Sequence, residues 1–68
     1  MTRRDIWRHL TSGERYVVDV DESGRVLKAA GPLAYSDIPQ ALQDFDSDAE
    51  LVDDLNESTD QYRSVDYV

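Results

Sequence analysis

The sequence predicts a small α+β domain, and three patterns in it carry that prediction. β-Branched and aromatic residues crowd Arg15-Tyr16-Val17-Val18-Asp19-Val20 and return in Arg25-Val26-Leu27-Lys28-Ala29-Ala30, across a turn-forming Asp21-Glu22-Ser23-Gly24. Ile38, Ala41, Leu42 and Phe45, continued by Ala49, Val52 and Leu55, recur at the 3.6-residue period of a helix. Ile6, Trp7 and Leu10 have the spacing of a shorter helix near the start.

Taken in order, Thr2 is a suitable cap for a helix over residues 3–11, with Asp5 near its positive end and Gly13 as its stop. Its inner face would carry Ile6, Trp7 and Leu10. A β-hairpin follows, in which Gly24 supplies the positive φ of the turn, and Gly31-Pro32 is expected to end the second strand because proline removes a ladder donor. Ser36 can cap the acidic helical segment and Pro39 is tolerated in a first turn. That segment is either one kinked helix over residues 37–56 or two short helices broken at Asp46, with Ser47 and Glu50 as a capping box. The Asp46-Ser47-Asp48 run favours the break. Residues 1–60 then form a single α+β domain, and residues 61–68 a C-terminal tail or late edge strand rich in Tyr and Val. The large apolar positions sharing these faces, Trp7, Leu10, Val18, Leu27, Ile38, Leu42 and Phe45, are the expected core.

A chain of 68 residues buries only about 60% of the surface that its unfolded form exposes. Cysteine is absent, so stability has to come from packing or from a partner subunit, and a homodimer is compatible with the chain. No apolar run approaches the about 20 residues of a membrane span, and the first residues lack the pattern of a signal peptide. These features lead to the expectation of a cytoplasmic protein without a membrane partner.

Several chemistries find no support. His9 is the only histidine, no glycine-rich phosphate loop exists among the three glycines, and no His/Cys cluster has metal-ligand spacing. Asp19-Val20-Asp21-Glu22-Ser23-Gly24 matches the first half of a calcium loop, yet Ala30 stands where the closing Glu is required. Asp44-Phe45-Asp46-Ser47-Asp48 alternates carboxylates, with Ala49 in place of the turn glycine. The expectation is a non-enzymatic protein with no catalytic residue, no cofactor and no metal.

Charge supplies the functional reading. From Ser36 onward there are ten acidic residues and one basic one, Arg63, whereas Met1 to Tyr35 holds six basic and five acidic. The net −8 is therefore +1 from the first half and −9 from the second. On a helical wheel Asp46, Glu50, Asp53, Asp54 and Glu57 fall in one sector opposite Ile38, Phe45 and Val52. If residues 37–57 were one helix of about 32 Å, its eight carboxylates would recur about every 4 Å, near the phosphate spacing of a DNA strand. The expected function is a small acidic protein-binding module that presents this face to a basic protein partner, as an inhibitor or nucleic-acid mimic. The competing reading is a salt-adapted domain of halophile type whose acidity serves solvation alone, in keeping with six Arg to one Lys and eleven Asp to four Glu. Arg3, Arg4 and Arg8 with Trp7 form a basic patch, but the overall charge disfavours direct nucleic-acid binding.

Overall fold

The computed structural model describes residues 2–65, and its centre is an antiparallel sheet with one short helix on each face. Strands β1 (Arg3–His9), β2 (Arg15–Val20), β3 (Val26–Leu33) and β4 (Tyr62–Val65) lie in the order β3-β2-β1-β4. Helices α1 (Ile38–Gln43) and α2 (Ala49–Glu57) follow β3, and single 3₁₀ turns at Tyr35–Asp37 and Thr59–Gln61 flank them.

The expected N-terminal helix is overturned: the segment is β1, an interior strand paired with β2 and β4. Side chains alternate faces along a strand. Trp7 accordingly joins Tyr16, Val18, Val20, Val26 and Ala29 under Leu51, Val52 and Leu55 of α2, while its neighbour Ile6 joins Val17 under Ile38, Ala41, Leu42 and Phe45 on the α1 side. Because both faces are covered, adjacent residues of β1 and β2 are buried together, and the alternation that marks a one-sided strand disappears. Gly13, expected to stop a helix, instead takes φ 76° in the β1–β2 turn, where His9 Nδ1 accepts the Thr11 and Ser12 N–H groups, each at 3.1 Å.

The hairpin of β2 and β3 stands as the sequence indicates, with Gly24 at φ 90° and the Asp21 carboxylate accepting from Ser23 and Arg25 N–H. Those bonds, the Ser23 hydroxyl first among them, hold the Asp21 carboxyl below its usual range and commit it to the turn. Two register shifts modify β3. Val20 pairs with Val26 but Asp19 with Lys28, so Leu27 is an extra residue turned out to 45% exposure, not a core position. The second shift lets the strand run past Gly31-Pro32 to Leu33, correcting the expected stop; proline is tolerated there because β3 is an edge strand. Gly31 has φ 144°, and a Cβ at that position would come within 2.5 Å of the Tyr16 ring, so only glycine fits.

Leu10, at 53% exposure in the β1–β2 turn, also leaves the expected core. Trp7, Val18 and Ile38 are buried, and Leu42 and Phe45 are half-buried. The fully buried side chains include Val17, Val20, Val26 and Leu55. Helix α2 also seals the β3 edge: the Asn56 side chain accepts from Val26 N–H at 2.9 Å and donates to Val26 O at 3.1 Å, as a neighbouring strand would. Ser47 Oγ and Asp48 N–H complete the edge at Ala29. Of the late segment, Tyr62–Val65 is the strand β4, and residues 66–68 of the expected tail lie outside the described residues.

Candidate functional site

The acidic segment forms two short helices with an extended break over residues 44–48. Asp48 caps α2, accepting from Glu50 N–H at 3.0 Å and Leu51 N–H at 3.3 Å, while Ser47, expected to be the cap, binds β3 instead. At the far end the Thr59 hydroxyl donates to the Leu55 and Asn56 carbonyls. The inner side of α2, Leu51, Val52 and Leu55, is fixed against the sheet.

Its outer side carries Glu50, Asp53, Asp54 and Glu57, all exposed, within one sector of about 100° of the wheel at 3.6 residues per turn. Asp46 is exposed too, but it precedes α2 in the extended break, so it flanks the face without sharing the helical register. None of the five carboxylates pairs with a cation among the described residues. Glu50 with Asp53, Glu50 with Asp54, Asp53 with Glu57 and Asp54 with Glu57 are neighbours at i,i+3 or i,i+4, and each such like-charge pair costs about 0.2–0.5 kcal/mol. Glu50 is favourably placed in the first turn, but Asp54 and Glu57 lie in the last turn, at the negative end of the helix, with no basic residue there. The repulsion and these last-turn acids both work against the fold.

The regular ladder of carboxylates over residues 37–57 is absent, since α1 and α2 cover opposite faces and α2 alone spans only about 14 Å. Among the described residues no cavity forms and no group of three or more side chains is placed to hold a metal ion. His9 packs edge-to-face on Tyr62, with ring centroids 5.0 Å apart.

The basic patch expected from Arg3, Arg4, Arg8 and Trp7 is dispersed by the strand. Trp7 is buried, its indole N–H donating to Asp5 Oδ2 at 3.2 Å. Arg4 and Arg8 share the α1 face with Ile6, whereas Arg3 alternates to the face of Trp7. Arg4 is engaged with Asp19 and with the last carbonyls of α1. In its place, register brings together Arg8, Arg15 and Arg63, a grouping that sequence spacing cannot reveal.

Compared with known protein families, curated proteins and solved structures, the chain matches none.

Proposed function

We propose that this chain is a non-enzymatic binding module that offers the outer side of α2, Glu50, Asp53, Asp54 and Glu57 with Asp46 beside them, to a basic protein surface. The observation that carries this reading is that the face opposes stability. Four like-charge neighbour pairs, and Asp54 and Glu57 in the last turn at the helix's negative end, are retained on a helix firmly held by Leu51, Val52 and Leu55. A solvated surface of either sign gives solubility, whereas a focused one-sign field speeds encounter with an oppositely charged partner. The proposal does not extend to nucleic-acid mimicry, because the regular spacing that motivates it depends on one continuous helix.

The test uses the chain as bait in host extract at two salt concentrations, beside Asp53→Lys/Asp54→Lys and Arg8→Gln/Arg63→Gln. Arg4 is left intact because it supports the fold. A partner retained by wild type and by the arginine variant, lost by the aspartate variant and released at high salt, is the expected result. A partner lost only with the arginine variant removes α2 from the role.

A further inference from the structure

Strand register places Arg15, Arg8 and Arg63 side by side on β2, β1 and β4, through the pairs Arg8↔Arg15 and Arg8↔Arg63. Directly paired residues share a face, and this is the α1 face, next to the Val17, Ile6 and Val65 row that α1 covers. His9 N–H donates to Glu14 O and Leu10 N–H to Gln61 O, so by alternation Arg8/Arg15 is a non-hydrogen-bonded pair and Arg8/Arg63 a hydrogen-bonded one. Their Cα separations are then about 4.5 and 5.5 Å, and the guanidinium groups stem from a line only about 10 Å long.

Like charges directly opposite one another destabilise a sheet. Yet in a chain with fifteen acidic residues, none of these three arginines has an ion pair or side-chain hydrogen bond among the described residues. Arg15 rests over the Tyr35 ring, 5.5 Å from its centroid, and Arg8 lies close to Gly13. The contrast is Arg4, one row of β1 beyond Ile6 on the same face, which is fully engaged by Asp19 and α1 carbonyls. The acidic face of α2 lies on the other side of the sheet and cannot neutralise this row within one molecule.

We propose that Arg8, Arg15 and Arg63 form a binding site for a diphosphate group, free or carried by a nucleoside. Guanidinium forks match phosphoryl oxygens with paired, charge-assisted hydrogen bonds, and linked phosphoryl groups offer oxygens to neighbouring forks at once. A compact anion also meets less of the repulsion from the −8 chain than a nucleic acid strand would, since screening confines each charge to about 8–10 Å. Tyr35, 53% exposed beside Arg15, gives a nucleoside a ring to stack on. This site is independent of the α2 reading.

The test is a magnesium-free titration of the folded chain with inorganic pyrophosphate, followed through amide and arginine side-chain NMR resonances. Saturable shifts confined to Arg8, Arg15, Arg63 and their neighbours are expected. Arg8→Gln, which relieves repulsion and so keeps the fold, weakens binding about tenfold or more, while Arg3→Gln on the opposite face leaves it unchanged. ADP distinguishes the source: tighter binding than pyrophosphate, with the gain removed by Tyr35→Ala, identifies a nucleoside diphosphate, and equal binding identifies a free diphosphate. Non-saturating shifts that follow ionic strength, or that affect Arg3 and Arg25 equally, overturn the site. So does a row occupied by carboxylates of a second copy, seen as slower diffusion at higher protein concentration that pyrophosphate does not reverse.

Discussion

The Arg4 guanidinium clasps the Asp19 carboxylate through parallel bonds of 2.8 and 3.0 Å across the β1–β2 pair, and donates to the Leu42 carbonyl at 3.0 Å. One side chain thus joins two strands to the C-terminal end of α1, where the helix has no cation of its own. The same guanidinium lies 4.8 Å from the Phe45 ring centroid, with Lys28 at 5.2 Å. The half-buried Phe45 is therefore held from the sheet face as well as by the apolar cluster around Ile38.

This clasp predicts an acid-sensitive contribution to stability. The hydrogen bond from Arg4, helped by the charges of Arg4 and Lys28 and opposed by burial, holds the Asp19 carboxyl below its usual range. A depressed folded pKa contributes stability that is present above the unfolded value of about 3.9 and is lost as pH falls through the folded value. The pair is partly solvated, with side-chain exposures of 30% and 13%, so the contribution is at most about 1 kcal/mol. Asp19→Asn should be less stable than wild type in urea melts at pH 7 and pH 5, with the difference closing as the pH falls below the unfolded value of about 3.9 and through the lowered folded one. An equal penalty at neutral and acid pH would assign the effect to shape instead of charge.

The register shift in β3 predicts opposite fates for two leucines. Leu55 is fully buried against Trp7, Val18 and Val26, and Leu55→Ala should cost about 2–5 kcal/mol, enough to unfold much of so small a domain. Leu27 is the extra residue of the bulge at 45% exposure, and Leu27→Ala should change stability by about 0.5 kcal/mol or less. Thermal melts of the two variants decide it. A strongly destabilised Leu27→Ala would mean that β3 pairs without the shift at Leu27.

These leucines also mark where the sequence is legible and where it is not. The hairpin of β2 and β3 is readable because turn and strands are contiguous, and Gly24 has one local purpose. The first segment is ambiguous because Gly13 serves a helix stop and a strand turn equally well. Ile6 and Trp7 side by side also fit a helix face as readily as a strand buried on both sides. What decides is non-local, namely that α1 and α2 cover opposite faces of the sheet. The exposed positions Glu50, Asp53, Asp54 and Glu57 are legible because α2 obeys its apolar stripe, and Asp46 leaves it because Asp48 starts the helix later. The Arg8, Arg15 and Arg63 row is invisible until register is known.

Asn56 predicts how far the position of α2 depends on the β3 edge. Its amide makes both a donor and an acceptor bond to Val26, and Asn56→Ala leaves those backbone groups without their partner, at about 1–3 kcal/mol. Asn56→Asp keeps the acceptor for Val26 N–H but loses the donor and places a charge against the Val26 carbonyl, so it should be at least as damaging. Hydrogen exchange at the Val26 amide reads the effect directly. Unchanged protection in Asn56→Ala would show that the edge is sealed by other means.

The α2 face yields a prediction in which stability and binding move in opposite directions. Asp53→Lys with Asp54→Lys changes four repulsive neighbour pairs, with Glu50 and Glu57, into attractive ones and places cations nearer the negative end of the helix. The double variant should therefore be more stable than wild type, by about 1–2 kcal/mol at low ionic strength and less at molar salt, where screening removes most of the difference. If the face serves a basic partner, the same variant loses that partner through slower association. If the acidity serves solvation in a salt-rich cytoplasm, wild type itself should depend steeply on molar salt, and the variant should lose salt tolerance and solubility without losing any partner. Melting curves of both proteins at low and molar salt, beside partner capture, separate the two. A variant that is less stable at low salt would show that the carboxylates of α2 do not repel one another and that the α2 face carries no cost for a partner to explain.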